Sequence, residues 1–283
     1  MAVQASGLDA DRVIAPFGRR TAEVVANEVT GGYRIVAAID PDGPMPRGGQ
    51  FYMLTAESGW GGAGERPYLP RAFSVAEATR DDRGVRLSFL LEDVGPGTNR
   101  LAELTPGDGL LLLGPLGRGF APPREGRRPI LVGGGVGIAP LAIWGDALDE
   151  ATLTLLGFRD AAHAAGAVLI PGARVITDDD GFVTDLLRHE LPGHVEVYAC
   201  GPPPMLEAVR ALAADNAVPA QLAMESGMAC GYGACFGCVV PTKSGYVRLC
   251  VDGPVIDADD VDHVWRPDAA GRLQSAGLDA PRR

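Results

Sequence analysis

The sequence predicts an antiparallel β-barrel followed by an α/β unit built on a parallel sheet, with a small cysteine-bearing module near the C-terminal end. Three observations predict this. Residues 13–115 read as short apolar strands separated by Gly and Pro turns, with no sustained helical period. After a break at residues 126–129 the pattern switches to strands alternating with helical stretches. Four of the five cysteines then fall within residues 230–250.

At 283 residues the chain has room for two domains and an appendage, and its 46% hydrophobic content suits a folded protein. We expect a barrel domain over 1–125, an α/β domain over 126–222, a cysteine module over 223–267 and a loose polar tail over 268–283. The uncharged run 129–145 is broken by glycines and two prolines, which fits a strand and turn rather than the about 20 continuous apolar residues of a bilayer span. No membrane segment is expected. The first residues carry neither a basic flank nor an apolar core, so no signal peptide is expected, and the cysteines read as cytoplasmic metal ligands and a thiol rather than disulfides. A formal net charge of -11 without a Lys/Arg cluster argues against binding a nucleic-acid backbone.

In the first unit, residues 22–26, 33–39, 50–54, 85–91 and 109–113 are the strand candidates. Between them, Arg71-Ala72-Phe73-Ser74 sets a guanidinium and a hydroxyl three residues apart, one suited to a phosphate and the other to the edge of a flavin ring. Composition alone reads Arg71 as a surface salt bridge. Gly97 and Thr98 precede a helical turn whose N–H groups suit a pyrophosphate, although a tight barrel turn has the same signature.

In the second unit, strands are expected at 130–132, 151–156 and 195–199 and helices at 182–188 and 204–213. The first strand runs into Gly133, Gly134, Gly135 and Gly137, a turn that lets a dinucleotide pyrophosphate approach backbone N–H groups, as in a Rossmann-like domain. Cys200 and Gly201 follow a later strand, at the sheet end where ligands gather. Cys200 is a candidate for the nicotinamide pocket, with a buried core thiol as the alternative.

Cys230, Cys235, Cys238 and Cys250 have the order C-x4-C-x2-C-x11-C, the pattern of a loop wrapped around a [2Fe-2S] cluster. Small residues, Gly231, Gly233, Ala234 and Gly237, let that loop turn its N–H groups toward sulfur. Zinc is the competing occupant, but zinc sites more often come as two C-x2-C pairs. The fourth ligand lies beyond a hairpin-like stretch at 242–249, and the module has too few apolar residues for a core of its own.

Together these motifs resemble the ferredoxin reductase superfamily, and most closely the electron-transfer subunits of two-subunit, NAD-linked dihydroorotate dehydrogenases. Further matching pieces are Gly114-Pro115-Leu116-Gly117, Gly157-Phe158-Arg159, Cys200-Gly201-Pro202 and Glu225-Ser226-Gly227-Met228 running into the cysteine loop. The resemblance implies a ferredoxin-reductase-like fold with FAD on the barrel, NAD on the Rossmann-like domain and the [2Fe-2S] cluster facing an FMN-containing dihydroorotate dehydrogenase catalytic subunit, in a heterotetramer of two of each. It implies that Arg71, Ala72, Phe73, Ser74, Gly97 and Thr98 hold the flavin, that Gly133, Gly134, Gly135, Gly137, Cys200 and Gly201 hold the nicotinamide dinucleotide, and that Ser74 and Cys200 flank the reacting rings.

The implied function is electron transfer from partner FMN to NAD+ in pyrimidine biosynthesis by an NAD-linked flavin/iron-sulfur oxidoreductase subunit. Two alternatives remain open: the small FAD/[2Fe-2S] subunit of a ferredoxin-NADP, sulfide or hydrogenase oxidoreductase complex, and a cluster-binding redox sensor without turnover. NAD and NADP are not separated by Arg159 and Asp160, which act in opposite senses on a 2′-phosphate. Residues 59–64 enlarge the loop before Arg71 relative to the family pattern.

Overall fold

Alternation of apolar residues closes the first unit into a barrel. In the computed structural model, which describes residues 18–61, 67–148, 152–191 and 193–261, six antiparallel strands form it. They are β1 (Arg20–Thr30), β2 (Tyr33–Asp40), β3 (Phe51–Ala56), β4 (Arg71–Asp81), β5 (Gly84–Leu91) and β6 (Gly109–Leu116), in the closed order β1-β2-β5-β4-β3-β6. On β5 the side chains of Val85, Leu87, Phe89 and Leu91 fill the barrel, while Leu90, on the other face, packs with Ile138 and Leu156 of the second unit. One helix, α1 (Pro96–Ala102), links β5 to β6.

The second unit carries the strands β7 (Arg128–Gly134), β8 (Leu153–Phe158), β9 (Arg174–Thr177), β10 (Val195–Cys200) and β11 (Ala220–Ala223), all parallel where they pair. Helices α2 (Ala139–Gly145), α3 (Ala161–Ala164), α4 (Val183–Glu190) and α5 (Pro203–Asp215) connect them. Every residue of β10 is buried, as expected for an inner strand with both faces covered. The parallel order β11-β10-β7-β8-β9 grows from β7 to one side through β8 and β9 and then to the other through β10 and β11. The reversal falls between β7 and β10, the kind of crevice in which open α/β sheets bind ligands.

The cysteine segment contributes the hairpin β12 (Val239–Thr242) and β13 (Gly245–Arg248), then β14 (Val255–Asp257). Strand β14 pairs antiparallel with β11, so the sheet expected to be parallel carries one reversed edge strand, brought there by the return of the chain from the cysteine loop. Val240, Leu249 and the thiols of Cys238 and Cys250 belong to the same apolar cluster as β7, β10, α5 and the barrel residues Phe51 and Met53. The module is packed into the core of its neighbours, as its few apolar residues suggest. The expected tail at 268–283 lies outside the described residues. No helix among the described residues is long and apolar enough to cross a membrane.

Candidate functional site

At the crevice, β7 ends in a single 3-10 turn, Gly135–Ile138, before α2 begins. Gly133 pairs in register with Cys200 of β10, so the ends of both strands meet there. Two positions of the turn require glycine. Gly135 has a φ of +56°, and a Cβ on Gly137 would lie 2.5 Å from the carbonyl oxygen of Cys200. The turn opens onto a groove of about 570 Å³ whose floor is Gly134, Gly135, Gly137, Gly201 and Pro202. Tyr33 and Glu92 of the barrel and Arg159, His163, Asp178 and Phe182 of the second unit form its walls.

Two residues expected at this site do not line the groove. Gly133 lies inside the sheet, where a Cβ would meet Leu156, Ile138 and Leu141. The side chain of Cys200 is buried with Phe120, Trp144 and Tyr198, and only its backbone reaches the glycine turn. Burial, followed by the charge of Glu225, pushes its thiol well above the usual range. Cys200 is thus a buried, neutral thiol.

Beside the groove lies a second, smaller cavity of about 160 Å³. Ala72, Phe73 and Ser74 of β4 form one wall, Val136 and Ala139 another, and Met224, Glu225, Ser226 and Met228 a third. Val136 and Glu225 border both spaces, so whatever fills one touches what fills the other. Glu225 keeps exposed surface, which it turns toward the two spaces it borders, while surrounding protein desolvates it; burial raises its carboxyl above the usual carboxylate range. The hydroxyl of Ser226 is buried on the same wall with no partner, a vacant donor and acceptor that suits a polar ring edge.

Arg71 sits further along β4. Its Nη1 donates to Leu69 O at 2.6 Å, its guanidinium lies over the Trp60 ring with the central carbon 5.9 Å from the centroid, and a Cβ on Gly97 would come within 2.4 Å of its Nε. Arg71 and the Gly97 turn are therefore brought together, a cradle that suits a phosphate. Thr98 plays a different part. Its hydroxyl accepts from the N–H groups of Val94 and Gly95 and donates to Gly95 O, each at 2.9 Å, so its hydrogen-bonding capacity is used in shaping the turn.

The cysteine loop leaves the cavity wall directly, with Met228 two residues before Cys230. Gly231, at φ +81°, lets the loop seat on the barrel, because a Cβ there would lie 2.4 Å from Met53 Cγ. Hairpin β12–β13 folds back so that Leu249 N donates to Cys238 O at 3.1 Å, which places Cys250 beside Cys238 with their sulfurs 3.2 Å apart. Cys230 and Cys235 form the second pair. Burial alone would raise the Cys230 thiol, but N–H groups of Cys235, Tyr232 and Ala234 and the Cys235 thiol bring it down to about 6. Cys250 is raised to about 12 by burial and by its hydrogen bond with Cys238.

Among the described residues no three such side chains converge on one point, whereas two thiol pairs fit the two irons of a [2Fe-2S] cluster, two sulfurs to each. The Glu92, Asp178, Glu225, Ser226 and Trp60 contributions were not legible in the sequence. Only the stretch Glu225-Ser226-Gly227-Met228, already part of a family motif, carried a signal that could have found two of them.

The profile of the iron-sulfur cluster binding domain of dihydroorotate dehydrogenase B matches residues 225–262. The electron transfer subunit of dihydroorotate dehydrogenase B (NAD(+)) from Caldanaerobacter subterraneus is 35% identical over 231 residues, covering 77% of this chain and 88% of that protein. Its counterpart from Bacillus velezensis is 36% identical over 211 residues, covering 69% and 81%. Among solved structures, an NADH-dependent reduced ferredoxin-NADP oxidoreductase superposes with a TM-score of 0.68 at 25% identity, covering 85% of this chain and 89% of that one. A ferredoxin reductase of carbazole 1,9a-dioxygenase superposes with a TM-score of 0.58 at 26% identity, covering 71% and 66%. At 35% and 36% identity over most of both chains, and with the iron-sulfur domain matched at residues 225–262, the chain belongs to the family of dihydroorotate dehydrogenase B electron transfer subunits.

Proposed function

We propose that this chain is the electron-transfer subunit of an NAD-dependent dihydroorotate dehydrogenase, connecting an FMN-containing catalytic partner to NAD+ by way of a [2Fe-2S] cluster and FAD. The cluster supplies one-electron transfer, and FAD joins it to the two-electron chemistry of nicotinamide. The chain's own work is to hold and orient these groups. Cys230, Cys235, Cys238 and Cys250 hold the cluster, and N–H groups of the loop stabilise thiolate at Cys230. Arg71 and Gly97 take the flavin phosphates, while Ala72, Phe73, Ser74 and Ser226 line the ring cavity. Gly134, Gly135, Gly137 and Gly201 would hold the dinucleotide, and Val136, which borders both spaces, would contact both groups.

One observation carries this reading: the segment Met224–Met228 forms a wall of the flavin cavity, borders the dinucleotide groove through Glu225 and runs on into Cys230. Three binding sites are contiguous along one short stretch of chain. Exposed Cys235, Tyr232 and Phe236 then offer the cluster end to a partner. The likeness to a ferredoxin-NADP oxidoreductase keeps a ferredoxin-type partner as the second reading. The names of the relatives favour dihydroorotate.

Cys235→Ser tests the division of labour. Electron exchange with the partner should fall by at least about a hundredfold, the upper end of what losing an outer-shell partner of a ligand alone costs, while FAD content and NADH oxidation by ferricyanide persist. Loss of ferricyanide reduction with FAD still bound contradicts the proposal.

A further inference from the structure

Arg71 is held by contacts that leave its charge available. Nη1 donates to Leu69 O at 2.6 Å, and among the described residues no carboxylate pairs with the guanidinium. Its other contact is aromatic: the Trp60 ring lies under it, 5.9 Å from the central carbon to the ring centroid. A carbonyl oxygen and a π face both attract a cation without neutralising it.

Trp60 is carried to that position by the loop between β3 and β4, and the loop is anchored on both sides of it. Arg100 of α1, the helix that also supplies Gly97, donates from Nε to Ser58 O at 3.0 Å and from Nη2 to Ser58 Oγ at 3.1 Å. Gly61 N donates to Pro67 O at 2.8 Å, closing the loop onto the chain that leads into β4. Gly59 and Gly61, at φ +72° and +69°, turn the backbone sharply before and after Trp60. The indole packs against the apolar cluster inside the barrel, and its Nε1 is buried with no hydrogen-bond partner among the described residues. Packing, not a hydrogen bond, fixes the ring.

We propose that Trp60 is a positioning residue for FAD: its ring holds the Arg71 guanidinium beside the Gly97 turn in the orientation that meets the flavin phosphates. The proposal rests on reading Arg71 as the flavin-phosphate group. An arginine free in solvent loses much rotamer freedom when it binds an anion. Here the Trp60 face, Leu69 O and the Gly97 backbone, which leaves no room for a Cβ beside Nε, remove that freedom before the ligand arrives. The described residues of the enlarged loop, 58–61, thereby belong to the flavin site, tied through Arg100 to the helix whose first turn receives the phosphate.

The test is calorimetric titration of the full chain, its cluster in place and its flavin removed, with FAD. Trp60→Ala should weaken FAD about fivefold, the scale of one cation–π contact, whereas Trp60→Phe, which keeps a π face and lacks the indole N–H, should stay within about twofold of the unaltered protein. Arg71→Ala should weaken FAD about tenfold or more, the scale of a hydrogen bond to a charged group. Adding Trp60→Ala to that variant should cost less than about twofold further, because the ring then has nothing to position. An unchanged affinity in Trp60→Ala, a loss in Trp60→Phe as large as in Trp60→Ala, or the full fivefold loss in the Arg71→Ala background each overturns the proposal. If the unaltered chain does not bind FAD, or Arg71→Ala binds it unchanged, Arg71 is not the flavin-phosphate group and the proposal falls with that reading. Should Trp60→Ala fail to fold, Trp60→Leu, which keeps an apolar side chain against the barrel but no π face, should show the same fivefold loss, and binding equal to that of Trp60→Phe would overturn the proposal.

Discussion

A single methyl group at Gly137 would press on the backbone of β10 at Cys200 and Gly201, at 2.5 and 2.6 Å, and backbone cannot swing aside as a flexible side chain can. Gly137→Ala is therefore expected to destabilise the protein by about 1–3 kcal/mol, seen as a lowered Tm, and to weaken NADH binding by forcing the turn away from the crevice. At this scale the sequence was most legible where chemistry imposes spacing. Four thiols that share one cluster must follow a narrow pattern, and a guanidinium three residues from a hydroxyl on one strand is visible in a string of letters. Groups recruited across the fold were not visible. Glu92 meets Arg159 from 67 positions away, and Glu225 matters because two cavities meet at it. Cys200 stands at the end of a strand as expected, but its membership of a buried cluster with Phe120, Trp144 and Tyr198, drawn from distant segments, left no local trace.

Elements were legible where the apolar period was clean. Strands β2, β5 and β10 fall where 33–39, 85–91 and 195–199 were expected, and α4 and α5 lie over the helical stretches. Strand β4 was read only as a binding motif, since its later residues, Glu77 to Asp81, are polar or small and the last three of them are exposed. Strands β9 and β11, four residues each, are too short for a period to show. Glu190, at the end of α4, ties that helix to two strands through Arg128 at 3.1 Å and Arg174 at 2.8 Å. Burial would raise its carboxyl, but the hydrogen bonds from both arginines prevail and hold it below the usual range. A carboxyl with a depressed folded-state pKa stabilises the fold above its unfolded value and loses that contribution as pH falls through the folded value. Glu190→Gln should accordingly cost about 1 kcal/mol in urea unfolding at pH 7, and the gap to wild type should close as pH drops below about 4. A gap of the same size at low pH would mean that the charge is not what holds α4.

At the scale of the whole molecule, the barrel, the sheet and the cysteine module are interlocked rather than strung together. Met53 of β3 receives the cysteine loop at Gly231, β14 completes the edge of the sheet, and the thiols of Cys238 and Cys250 sit in a core shared with α5 and β10. The order of the units was readable from the change of pattern along the chain, because period 2 and period 3.6 leave different traces. Their mutual placement was not, since it depends on contacts between residues far apart. That placement puts the cysteine loop, the smaller cavity and the groove in one continuous series, along which the proposed function passes electrons from dihydroorotate to NAD+. The measurement to make is anaerobic, dihydroorotate-dependent reduction of NAD+ by the cofactor-loaded chain mixed with the proposed FMN-containing catalytic partner. Turnover should require both proteins and be lost with Cys235→Ser. No turnover from the mixture, while NADH still bleaches the chain's FAD, would contradict it and point to a ferredoxin-type partner instead.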